Sequence, residues 1–342
     1  MQYDIRRVYA FDQAARQQVQ ALLLGEGLTM DRNLDYTLAA YEPSGRMAGT
    51  GSFFRNTLRC LAVRDDLRGE GLLGTLVGHL RDELAQRGVF DVFLYTKAPA
   101  ARYFEELGFH TLARVDQSVV FMESSATAFD AYLQDVRARF VDAPRVGAVV
   151  MNANPFTLGH QHLAEQASAS CDILHLFVVR EDVSAFPFLV RDRLVRVGTA
   201  HLNNVVYHHT GPYIVSSATF PSYFIQDSEQ VTIAQARVDA AVFGRIAGAL
   251  GINRRFVGEE PFSFATRLYN QAMAADLPGY GVALRVIPRR ADADGQPISA
   301  TRVRGLLKAG DLEGLRLLLP PTTQAYLRSE EGRALIRRLQ AQ

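Results

Sequence analysis

The sequence predicts an α/β protein of two domains, the second built on an open parallel sheet, and three observations carry that expectation. A chain of 342 residues, 48% hydrophobic and 21% charged, buries a sizeable core and by length favours two domains over one. Ser124-Ser125-Ala126-Thr127 breaks the pattern and offers a helix cap, which sets domains at 1–123 and 144–342 with a connecting helix or linker at 124–143. Past Pro144, continuous apolar runs alternate with helical stretches, the pattern of parallel strands covered on both faces and joined by right-handed crossovers.

In the first domain, Leu61-Ala62-Val63 reads as a strand and Arg64-Asp65-Asp66 as a turn. Arg68-Gly69-Glu70-Gly71-Leu72-Leu73-Gly74 is a Gly-rich approach to a helix over 75–87. Amides freed by those glycines could cradle a pyrophosphate; a Gly-rich capped helix with no ligand explains the same residues. A strand follows at 90–96, then a helix over 98–109 ended by Gly108. The connector holds an amphipathic helix over 128–140, with Phe129, Leu133, Val136 and Phe140 spaced by three and four. In the second domain the apolar runs 146–151 and 173–179 are strands, and 161–170 is a helix between them. Val231, Ala234, Val238, Ala241, Val242 and Ile246 form the core stripe of a long helix, followed by short strands at 255–258 and 283–287.

The 37 basic residues nearly cancel the 36 acidic ones, so a net charge of +1 supplies no broad field for nucleic acid or anionic lipid, and any anion site must be local. Cys60 and Cys171 lie far apart and outside any CxxC or Cys/His ligand spacing, which argues against a disulfide framework or a zinc site. His160 and His162 are about 200° apart on a helix, and His208 and His209 alternate faces of a strand, so no metal is expected from these pairs. With no apolar leader at its start and no bilayer-length apolar run, the chain reads as cytoplasmic.

Two segments carry chemistry. Asn152-Ala153-Asn154-Pro155-Phe156-Thr157-Leu158-Gly159-His160 leaves the first strand of the parallel sheet and starts a helix, the place where open α/β sheets bind ligands. Thr157 can cap that helix, Gly159 lets a ligand approach the backbone, and free amides at the helix start favour a phosphate. His160 can donate a hydrogen bond to a phosphate oxygen as charge builds up at phosphorus, an interaction worth ~3 to 4 kcal/mol in oxyanion sites. The second segment, Gln296-Pro297-Ile298-Ser299-Ala300-Thr301-Arg302-Val303-Arg304, follows the last strand and starts another helix. Ser299 and Thr301 can bind phosphate oxygens, and the Arg304 guanidinium can grip a polyphosphate. Either segment alone could be only a capped helix; as a pair in one βα domain they point to an anion site. Glu259-Glu260 at a strand end, next to Gly258, could meet ribose hydroxyls or face water, and Arg289-Arg290 reads as a solvated pair in preference to a source of positive potential for triphosphate.

Thr157-Leu158-Gly159-His160 resembles the T/HxGH signature, and 298–304 the I-S-S-T-x-x-R signature, of the nucleotidylyltransferase superfamily, with Ala300 in place of the second serine. The resemblance implies a Rossmann-like domain with His160, Arg304 and Thr157 as catalytic residues and Asn154, Gly159, Ser299, Thr301, Gly258 and Glu259 around ATP, Mg²⁺ bridging the phosphate oxygens. Val178-Val179-Arg180-Glu181-Asp182, then Phe186-Pro187-Phe188, then Tyr213-Ile214-Val215-Ser216-Ser217-Ala218-Thr219-Phe220-Pro221-Ser222-Tyr223-Phe224 are similar to the citrate lyase ligase family. So are Val257-Gly258-Glu259-Glu260-Pro261-Phe262 and Thr266-Arg267-Leu268-Tyr269-Asn270. That similarity implies AMP-forming activation of acetate as acetyl adenylate, and transfer of the acetyl to the prosthetic-group thiol of the citrate lyase acyl carrier subunit. Residues 1–123 resemble the acetyl-CoA-dependent N-acetyltransferase (GNAT) fold, in which Arg68, Gly69, Gly71 and Gly74 would hold a coenzyme-A-like arm; Leu73 departs from the small residue of that pattern. Two other readings stay open: adenylyl transfer to a phosphate monoester such as pantetheine phosphate or nicotinamide mononucleotide, and a module that senses nucleotide and coenzyme A without turnover.

Overall fold

The computed structural model describes residues 3–180, 184–214, 220–221, 223–225, 227–260 and 263–341. Of the motifs quoted above, Glu181, Asp182, residues 215–219, Ser222, Pro261 and Phe262 lie outside the described residues. The chain forms two compact units, Met1–Asp130 with Val215–Ala241, and Ala131–Ile214 with Val242–Gln342. The division falls within the helix expected as a connector, and a stretch read with 144–342 is grouped with the first unit.

The first unit contains β1 (Asp4–Arg7), α1 (Gln13–Gly25), β2 (Tyr36–Tyr41), β3 (Met47–Phe54), β4 (Thr57–Val63), α2 (Leu72–Gln86), β5 (Phe93–Thr96), α3 (Ala101–Glu106), β6 (His110–Val115) and β7 (Val119–Glu123). Its sheet runs β1-β2-β3-β4-β5-β7-β6, antiparallel throughout except for the parallel pair β4/β5. β4 starts four residues before the predicted strand and includes Arg59, which is buried in an ion pair with Asp31 at 2.7 Å. α2 starts directly after Gly71, whose φ of 79° turns the chain, and buries Leu72, Leu76, Leu80 and Leu84 on one stripe. Pro99 sits inside a tight 3-10 turn over Ala98–Ala100, so α3 starts later than predicted, at Ala101, and stops before Gly108, with φ 83°.

β4 and β5 pair only at Thr57↔Phe93 and Leu58↔Leu94 and then part. Just past that point the Tyr95 carbonyl accepts the Tyr223 hydroxyl at 3.0 Å, while Tyr223's own carbonyl accepts the Thr29 N–H at 2.7 Å. Phe220 meets the Tyr95 ring edge-on, and Tyr95 stacks on Phe121 at 4.4 Å. Burial pushes the phenols of Tyr95 and Tyr223 above their usual range.

The second unit begins within α4 (Ala128–Arg137) and contains β8 (Val146–Met151), α5 (Leu158–Ala169), β9 (Ile173–Val178), α6 (Phe188–Gly198) and β10 (Val205–His209). After α7 (Ser228–Leu250) come β11 (Arg254–Gly258), α8 (Phe264–Asp276), β12 (Ala283–Ile287), α9 (Ala300–Ala309), α10 (Pro321–Arg328) and α11 (Glu330–Gln340). The five strands are parallel, in the order β10-β9-β8-β11-β12. The order reverses between β8 and β11, which pair only as far as Val149↔Phe256 and then diverge. In doubly wound sheets, ligands bind at such a point of reversal, outside the carboxyl ends of the strands. Leu174, Leu176, Val149 and Phe156 are fully buried in its core, each worth about 1.5–3 kcal/mol of apolar burial.

His208 is buried and His209 half exposed, as strand alternation requires. The sequence did not suggest the partner: His208 Nε2 lies 2.8 Å from Nδ1 of the equally buried His175 on β9. Burial pushes both imidazoles down, His175 to about 4 and His208 to about 3, the latter helped by neighbouring positive charge from His175 and Arg139. Among the described residues no helix is long and apolar enough to cross a membrane, and no cluster of three or more His, Cys, Asp or Glu is arranged to hold a metal.

Candidate active site

The loop from β8 to α5 is built by its own side chains. Thr157 caps α5: its hydroxyl accepts the His160 N–H at 3.4 Å, and the Thr157 N–H donates to His160 Nδ1 at 3.2 Å. A main-chain N–H can only donate, so Nδ1 is the unprotonated nitrogen and the ring proton sits on Nε2. Burial first, then the positive fields of Arg289 and Arg304, push the His160 pKa down to about 4. At neutral pH the ring is therefore an uncharged donor through Nε2–H.

The helix start offers fewer amides than its sequence promised. The Leu158 N–H is taken by the Leu318 carbonyl at 3.0 Å and the His160 N–H by Thr157. Gly159 N–H is the first-turn amide left without a protein acceptor among the described residues. Gly159 has a steric reason as well: a Cβ there would stand 2.7 Å from the Ile298 carbonyl oxygen. The two signature segments touch at this point.

α9 repeats the design. Ser299 caps it, accepting the Arg302 N–H at 3.2 Å, and its hydroxyl hydrogen stays available. The Arg304 guanidinium donates to the Asn154 carbonyl at 2.6 Å and to the Thr301 hydroxyl at 3.1 Å, locking the second helix start to the first loop. Burial lowers the Arg304 pKa from its ordinary value. Asn154 spends its side-chain oxygen on the Phe186 N–H at 3.0 Å, so it fastens the loop. Asp292 is tied to Arg302, which holds its carboxyl below the usual range.

Gly258 and Glu259 stand at the end of β11, across the divergence from β8. A Cβ at Gly258 would meet nothing within 4 Å, so packing does not explain this glycine. The Glu259 side chain is exposed. Arg289 departs from the solvated pair expected for it: it donates to the Glu259 carbonyl at 2.6 Å, bonds the Glu260 carboxylate, and lies close enough to depress His160. Glu260 and Asp292 are thus bound to arginines, while the exposed Glu259 keeps its carboxylate toward solvent.

Arg191 is the residue that sequence reasoning missed. Fully buried on α6, it donates to the carbonyls of Asn152 at 2.7 Å, Val179 at 2.8 Å and Phe186 at 3.0 Å, gathering the ends of β8 and β9. Arg68, Gly69, Gly71 and Gly74 belong to the first unit. Gly69 and Gly71 have φ of 89° and 79°, and α2 has no side-chain cap. Gly74 is accounted for by packing, since a Cβ would press on Leu107 at 3.2 Å. Arg68 is paired with Glu26 and Asp65.

Among solved structures, an acetyltransferase of the GNAT family from Staphylococcus aureus matches 36% of this chain and 98% of its own, at 14% identity and a TM-score of 0.31. A pantothenate synthetase from Thermus thermophilus matches 56% of this chain and 68% of its own, at 19% identity and a TM-score of 0.37. The citrate lyase ligase C-terminal domain family matches residues 146–327. A [citrate [pro-3S]-lyase] ligase of Klebsiella pneumoniae is 36% identical over 92% of this chain and 93% of that protein. The ligase of the same name from Escherichia coli is 38% identical over 83% and 82%. With the family's domain matched over half the chain and relatives this similar over nearly all of it, the chain belongs to the citrate lyase ligase family.

Proposed function

We propose that the chain is an ATP-dependent, AMP-forming ligase that activates acetate and delivers the acetyl group to the prosthetic-group thiol of the citrate lyase acyl carrier protein. Acting on MgATP as substrate, an acetate oxygen forms a bond to the α-phosphorus while the bond to pyrophosphate breaks, giving acetyl adenylate. The carrier thiolate then attacks the acetyl carbon and AMP leaves. His160 donates through Nε2–H to a phosphate oxygen, and Gly159 N–H points at the same group. Arg304, Ser299 and Thr301 receive the departing pyrophosphate, while Glu259 and Gly258 border the nucleoside. Catalysis here is alignment and charge stabilisation, which needs no nucleophilic side chain. Cys60 and Cys171 fit that account: both are buried, and burial pushes their thiols up, to about 12 and about 11. In the first unit, the amides around Gly69 and Gly71 would hold the phosphate end of a coenzyme-A-like arm, with Arg68 and Gly74 flanking it.

The observation that supports this most is the junction of the two helix starts, made by Gly159 against the Ile298 carbonyl and by Arg304 on the Asn154 carbonyl, beside an uncharged His160. Exchange of labelled pyrophosphate into ATP tests it. Exchange that depends on acetate is expected. Exchange that ignores acetate but needs a phosphate monoester overturns the ligase reading in favour of adenylyl transfer, and no exchange with any acceptor favours a nucleotide-sensing module.

A further inference from the structure

Away from the signature loops, the second unit has a depression of about 300 Å³ formed by the segment before α10 and by α10 and α11. Its floor is apolar, with Leu315, Leu319, Leu327 and Ile336 at the base and the half-exposed Leu312 at the lip. Its rim is cationic. Arg316, Arg328 and Arg333 are exposed, and none has a carboxylate partner among the described residues; nearby Glu331 is bound to Arg193. Three unpaired guanidiniums around an apolar floor favour an occupant that is acidic and carries an apolar side chain.

The segments that form the depression also fasten the active-site loop. Leu318, in the segment that supplies Leu315 and Leu319, gives its carbonyl to the Leu158 N–H at the start of α5. Thr323 of α10, between Leu319 and Leu327, donates its hydroxyl to the Phe156 carbonyl at 2.9 Å. A protein seated here would touch the same elements that hold the phosphate loop.

We propose that this arginine-rimmed depression docks the carrier protein through an acidic helix bearing an exposed apolar residue. The inference rests on the ligase reading above, since it names where that reaction's protein substrate is recognised. None of the three arginines belongs to the catalytic set, so docking and chemistry separate experimentally.

The full-length chain carrying Arg316→Glu, Arg328→Glu and Arg333→Glu is compared with the wild type in two assays. Acetate-dependent pyrophosphate exchange should stay within about twofold, while KM for the purified acyl carrier subunit should rise by about tenfold or more, with kcat little changed. Wild-type KM should also climb with added NaCl, and the variant's should not. Calorimetric titration with the carrier subunit reads binding directly: binding lost in the variant supports the docking site, and equal binding, or none by the wild type, overturns it. Failure of wild-type exchange with acetate sinks the ligase reading and is visible separately from the titration. Should the charge-reversed chain not fold, the triple alanine variant and the salt series report the same contact.

Discussion

Both units contain a pair of parallel strands that begin together and then part, and they treat the gap in opposite ways. In the first, β4 and β5 part after Leu58 and Leu94, and the next carbonyl of β5 is taken at once by the Tyr223 hydroxyl, with Phe220 against the Tyr95 ring. In the second, β8 and β11 part after Val149 and Phe256, and the chain leaves polar groups there with capacity to spare: Gly159 N–H, His160 Nε2–H, and the hydroxyls of Ser299 and Thr301. One divergence is closed by aromatic packing, the other is edged with donors. The two gaps differ in whether the hydrogen-bonding groups at the rim are already spent.

The contrast can be broken most sharply at the open gap. His160→Ala or Arg304→Ala should lower pyrophosphate exchange by roughly 100- to 1000-fold, with circular dichroism unchanged and a stability loss of about 1–2 kcal/mol from the hydrogen bonds each side chain makes. Full exchange in both variants would remove the second gap's claim to chemistry. Gly159→Ala comes next, because its Cβ would press on the Ile298 carbonyl; a loss of about 1–3 kcal/mol in urea unfolding, with exchange depressed, is the expected result.

Acid provides a third test. His160, His175 and His208 all belong to the second unit, and their folded pKa values of about 4, 4 and 3 lie below the ordinary 6.5. The unfolded chain therefore takes up protons first as pH falls below 6.5, so stability is complete above that value and drains away toward pH 4. One such histidine costs about 2 kcal/mol between pH 6.5 and 5. Hydrogen exchange at pH 5 should quicken in β9 and β10 before it does in β3, and uniform quickening would refute the assignment. The smallest effect belongs to the closed gap. Tyr223→Phe strands the Tyr95 carbonyl and should cost about 1 kcal/mol, with acetate-dependent exchange unaltered.

Much of this was legible in the sequence because it is local. Continuous apolar runs located β8 and β9, and the hydroxyl–glycine–histidine order marked a capped helix start whose cap and imidazole do bond each other. What stayed hidden depends on distant partners. Arg191 looks like any helix-surface arginine until carbonyls past the ends of β8 and β9, and that of Phe186, converge on it, and nothing local pairs Arg59 with Asp31. The supposedly free amide of Leu158 was beyond reach for the same reason, since no spacing rule pairs it with Leu318. Buried cations and occupied amides carry no periodicity, so only the fold reveals them.

The fastening of the phosphate loop has a consequence for the order in which the protein is made. Phe156 leaves the ribosome 167 residues ahead of Thr323, whose hydroxyl secures its carbonyl, and Leu158 likewise precedes Leu318. A nascent chain can thus lay down β8 and begin α5 early, yet the loop between them stays unanchored until α10 has emerged. Whatever depends on that loop's geometry is consequently acquired only after α10 has been made.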